Sequence, residues 1–161
     1  MRTASAFAET AWMRTVMSAC VLMLPVSATH AQQADEVLTR LLRARSLRCE
    51  FQAGTQASWD GGSLKRKQVT AGEGGRMTFD SIDTRAGKAR MIGNVGAVDV
   101  RVLMTVTGLT FVEETHFGNL NFTTVFGSYD SSRRVIAVSS RHQDINGPFP
   151  SQYHGTCSVL D

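Results

Sequence analysis

The chain has 161 residues, 42% of them hydrophobic and 19% charged, with 17 Lys and Arg against 14 Asp and Glu. That length supports one ordinary domain, and the apolar content excludes a disordered tail or a collagen-like repeat. A net charge of +3 is too small to imply nucleic acid or an anionic membrane as a partner.

At the N-terminus, Arg14 precedes an apolar run from Val16 to Val26. Thr29-His30-Ala31 follows with small residues at the −3 and −1 positions, so a cleaved signal peptide is expected over residues 1–31. The run is too short to cross about 30 Å of hydrocarbon as a helix. Met13-Arg14 would open a more compact signal, which makes Met13 an alternative start to Met1. A lipid anchor on Cys20 fits poorly, because most of the apolar run would then stay on the mature chain. Cleavage after Ala31 leaves a net charge of +2, no transmembrane segment, and Cys49 and Cys157 as the remaining cysteines. Two cysteines near opposite ends of an exported chain are expected to form one disulfide in the periplasm or outside the cell.

The next segment, 32–46, carries a short helix read at 35–45. Asp35 is placed as N-cap, Val37, Leu38, Leu41 and Leu42 form the apolar stripe, and Arg40 and Arg43 face solvent.

From Leu47 to residue 161 the hydrophobic period changes to two. Leu47, Cys49, Phe51 and Ala53 alternate with polar residues. Further runs follow at Met77 and Phe79; at Val100, Val102, Met104 and Val106; and at Leu109 and Phe111. Leu120, Phe122 and Phe126, then Ile136 and Val138, then Tyr153, Cys157 and Val159 complete the series. Turn signals at 84–87, 93–96, 108, 117–119 and 130–132 separate the runs. The expected fold is all-β: a small antiparallel meander closing into a barrel of about eight strands. Both cysteines share parity with apolar neighbours on the first and last strands, so a bridge would join those strands and close the barrel. Residues 54–75, rich in glycine around Lys65-Arg66-Lys67, read as a solvated hairpin.

Chemistry is sparse. Ser140, His142 and Asp144 share one strand face but sit too far apart for a catalytic triad, and there is no Gly-x-Ser-x-Gly elbow. His142, Asp144 and His154 have no diagnostic metal spacing, so a metal-assisted hydrolase is the weakest alternative. Glu113 falls on the Leu109–Phe111 face and would need a partner or a place at the barrel mouth. Pro148 to Tyr153, with Phe149 between two prolines, reads as a rigid recognition loop. The candidate contact residues are therefore Glu113, His142, Asp144, Phe149, Tyr153 and His154, with no catalytic, metal or cofactor site.

The function expected from these residues is an exported, monomeric, non-enzymatic barrel that takes a small or lipidic ligand in its mouth. The alternative is a protein-binding module or enzyme inhibitor acting through 148–153. The expected architecture resembles that of periplasmic lysozyme inhibitors and lipocalin-like carriers by analogy alone, since no diagnostic motif of either group is visible in the chain.

Overall fold

A computed structural model describes residues 26–160 apart from 71, 72, 74, 95, 116, 117 and 145, with side chains from Ala34 onward. Most of the expected signal peptide lies outside the described residues. The first element is a helix, α1 (Val26–Arg43). Nine strands follow: β1 (Ser46–Asp60), β2 (Ser63–Val69), β3 (Arg76–Asp83), β4 (Lys88–Gly93), β5 (Gly96–Thr105), β6 (Gly108–Glu114), β7 (Leu120–Tyr129), β8 (Val135–Asp144) and β9 (Pro148–Leu160).

Strands β3 to β9 form a continuous antiparallel meander, and β1 pairs with both β3 and β9. Those eight strands close the barrel, while β2 pairs only with the distal half of β1 and stays outside it. The seam is the β1–β9 pairing, where Cys49 lies directly opposite Cys157 and the two are bonded. Glu50 adds an ionic clamp there, 3.2 Å from both Arg76 and Arg134.

Helix α1 is longer than the 35–45 expectation and ends two residues earlier. Ala31-Gln32-Gln33-Ala34 are good helix formers, so Asp35 lies inside the helix instead of capping it. Its stripe is as expected, with Val37 and Leu41 buried and Leu38 and Leu42 half-buried. The helix lies against β7 and β6 at the barrel end that carries the 105–108 turn. Gly127 makes this seat: a Cβ there would come within 2.8 Å of Leu38 Cβ.

Bulges decide which side chains enter the barrel. In β1 the ladder shifts between Phe51 and Ala53, which turns Ala53 outward and aims Gly54 and Gln56 inward. In β3 the shift between Asp80 and Asp83 passes through Ser81 at φ 51° and buries Ile82.

The inward faces of β7 and β8 differ from expectation. Leu120, Phe122 and Phe126 lie on the outer face of β7, and Thr123 and Val125 point inward. Ile136 and Val138 are likewise outside, with Val135, Ala137 and Ser139 inside. The cause is volume. An eight-stranded barrel holds little more than its own side chains, and large residues on one wall require small ones opposite. Phe79 and Phe111 stack at 3.8 Å between ring centroids and fill the centre with Leu47 and Leu109. Of Phe79, Phe111, Phe122 and Phe126, which the alternating pattern places on the apolar faces, only the first two enter the barrel. Met104 and Val106 are exposed, at 60% and 91%, because β5 runs out into the 105–108 turn there.

Candidate functional site at the open end of the barrel

The end opposite α1, open in the sense that no helix lies over it among the described residues, carries the 93–96 turn, the β6–β7 loop, the β8–β9 turn and the β1–β2 hairpin. One strand register runs across its inner wall. Glu113 opposes Asn121, Asn121 opposes Arg141, Arg141 opposes Ser151, and Ser151 opposes Gln56. Directly opposed residues point to the same face of a sheet, so these five side chains form a polar tier across β6, β7, β8, β9 and β1. Tyr153, Ser139, Thr123 and Phe111 form the tier beneath it by the same register.

The lower tier is satisfied. Thr123 Oγ1 donates to Ser139 Oγ at 3.1 Å, and Gln56 Nε2 donates to Tyr153 Oη at 2.8 Å. The upper tier is only partly so. Asn121 Nδ2 donates to Glu113 Oε2, which answers the expectation that an inward Glu113 needs a partner. Arg141 lays its guanidinium over the Tyr153 ring, Cζ 4.6 Å from the centroid. Among the described residues no carboxylate lies within ion-pair range of it.

Among the described residues, Asn121 Oδ1 and Ser151 Oγ are buried without a hydrogen-bond partner, and so is Thr115 Oγ1 just beyond β6. The two other such atoms among the described residues, Arg134 Nε and Thr156 Oγ1, lie near the β1–β9 seam. A buried polar atom left unsatisfied costs about 1–3 kcal/mol, and three of these five atoms lie at this end.

Of the sequence-predicted contact residues, the structure brings Glu113, Phe149 and Tyr153 to the inner wall at this end. His142, Asp144 and His154 fall on the outside. His154 opposes Val138, four residues along β8 from His142, or about 13 Å at strand rise. Among the described residues no three His, Cys, Asp or Glu side chains gather as a metal set. Asp144 instead builds the β8–β9 turn, its Oδ1 accepting the Gly147 N–H at 2.9 Å. Ser140 Oγ accepts from Gln152 Nε2, and the His142 ring meets the edge of Phe122, so the triad residues bond elsewhere.

The 148–153 segment is no loop. It opens β9, pairing with β8 from Pro148 onward and with β1 from Ser151. Pro148 and Pro150 precede the β1 pairing, so their missing N–H groups break no ladder on that side. The element that extends beyond the barrel at this end is the β1–β2 hairpin, as a solvated hairpin was expected to do. Trp59 opposes Leu64 near its tip, exposed at 49% and 47%.

A short loop steadies the base of this hairpin. The Glu73 carboxylate accepts the Thr70 N–H and the Lys67 ammonium, each at 3.0 Å. The Thr70 N–H first, then Lys67, hold its pKa at about 2, against an ordinary 4.5. A depressed folded pKa means the loop gains stability from Glu73 above pH 4.5 and loses it as pH falls toward about 2. Side-chain NMR titration is expected to place the Glu73 midpoint near 2, with the Thr70 amide moving in step. A midpoint at the ordinary 4.5 would contradict this geometry.

Arg141, Ser151, Asn121 and Gln56 were missed by sequence reasoning. The signal was present in β8: Val135, Ala137, Ser139 and Arg141 share parity, and the small residues mark the crowded interior. No protein-family model, curated protein or solved structure matches this chain.

Proposed function

We propose that this protein is an exported, non-enzymatic β-barrel that binds a small ligand at its open end. The observation that carries the reading is the inward polar tier, with Ser151 Oγ and Asn121 Oδ1 buried and unsatisfied above an apolar core. Ligand groups arriving from above would satisfy those atoms and recover their desolvation cost. The stacked Phe79 and Phe111 fill the centre, which favours a polar ligand seated at the mouth over an acyl chain threaded inside. The Cys49–Cys157 bridge supports export, since such bonds persist in oxidising compartments.

A second reading, a protein-binding module, is favoured by the Trp59–Leu64 pair on the extended hairpin. Its contact surface would be that hairpin in place of the 148–153 segment.

Native mass spectrometry of the protein purified from an exporting host, without reductant, separates the two. A discrete small-molecule adduct lost on denaturation is the expected result. An adduct-free chain that retains a protein partner, with the partner lost in W59A, would overturn the first reading in favour of the second.

A further inference from the structure

We infer that the ligand presents an oxyanion, a carboxylate or phosphate group, to Arg141 and Ser151. This rests on the open-end reading above and names its ligand class. Arg141 is a half-buried guanidinium that lies over the Tyr153 ring and makes no ion pair among the described residues. A cation held on an inner wall without a counter-charge is costly, and an incoming anion is its natural complement.

The neighbouring groups agree. Ser151, 7% exposed and directly opposite Arg141, has a hydroxyl with no hydrogen-bond partner among the described residues and can donate. Tyr153 Oη accepts from Gln56, which leaves its own proton for a further acceptor. Guanidinium, Ser151 hydroxyl and Tyr153 hydroxyl thus form a donor set on adjacent strands. Lys65 opposes Ser58 on the inward-facing side of the hairpin and makes no ion pair among the described residues, which adds positive potential. Asp60 shares the Ser58 face nearer the hairpin tip, and the opposing charge within the tier is Glu113. It lies two strands from Arg141, about 10 Å by strand spacing, and is engaged by Asn121.

The test is a ¹H–¹⁵N NMR titration of the disulfide-bonded protein with inorganic phosphate, succinate, maltose and choline as separate probes. Saturable shifts at Asn121, Arg141, Ser151 and Tyr153 with phosphate or succinate are expected. The tighter of the two assigns the oxyanion as phosphate-like or carboxylate.

Arg141→Gln should weaken that binding about tenfold or more, the loss of a charge-assisted contact. Arg101→Gln removes the same charge from the outer face and should leave affinity within about twofold. Equal weakening by both variants, or saturation that survives Arg141→Gln, would overturn the inference. If maltose or choline saturates the tier and the anions do not, the oxyanion is wrong and the open-end site stands. If no probe moves the tier, both readings fall.

Discussion

Replacing both cysteines, C49A/C157A, is expected to lower stability by about 4–5 kcal/mol. The bridge spans 108 residues, nearly the whole barrel, so in the chain-entropy model it removes much of the freedom of the unfolded chain. Both residues are fully buried, and truncation to alanine adds a small packing loss. A domain of this kind holds about 5–15 kcal/mol in all, so the loss is between about a third and nearly the whole of it. Urea denaturation of the two proteins measures the difference. The slope should also rise, because an unbridged unfolded chain exposes more surface. A loss below about 1 kcal/mol would mean that the β1–β9 seam closes without the bond and that the native bridge is strained.

Gly155→Ala is expected to cost about 3 kcal/mol or more, which is large for one methyl group. Gly155 opposes Phe51 on β1 and Ala137 on β8. A Cβ at this position would overlap the Glu50 carbonyl oxygen and lie 2.7 Å from Phe51 Cα. Both obstacles are backbone, so no rotamer change relieves them. Relief requires β1 and β9 to separate, and the Cys49–Cys157 bond two residues away opposes that. Gly93→Ala is the control: nothing lies within 4 Å of a Cβ there, and the change should stay within about 0.5 kcal/mol. Thermal unfolding gives both values, and amide exchange in Gly155→Ala should show lost protection along β1 and β9. Equal stability of the two variants would contradict the close approach at the seam.

The meander, its closure and the paired cysteines were legible in the sequence. Period-two patterning and shared parity of Cys49 and Cys157 with apolar neighbours depend only on strand geometry. The wall assignment of β7 and β8 was not legible from hydrophobicity. Phe122, Phe126, Ile136 and Val138 are larger than Thr123, Val125, Ala137 and Ser139, yet the smaller set is inside. Interior volume, already claimed by Phe79, Phe111 and Tyr153, overrides side-chain transfer energy there. Bulges are the second cause. A single extra residue reverses parity, and neither Ala53 nor Ser81 carries a local signal that marks the slip. The polar tier inherits both problems, since Gln56 depends on the first bulge and Arg141 on the corrected face of β8. Glu113 and Tyr153 were found because their strands alternate without interruption from Leu109 and back from Cys157.

The central claim is that the unpartnered groups of the polar tier are kept for a ligand and do not stabilise the fold. Ser151 Oγ tests it most directly, because it is buried, unpartnered and on the inner wall. Urea denaturation of Ser151→Ala, without added ligand, is the measurement. Removing an unsatisfied buried hydroxyl should leave stability unchanged or raise it by about 1 kcal/mol. A loss of about 1 kcal/mol or more would show that the hydroxyl is bonded within the folded protein, and the tier would then be part of the barrel's own structure.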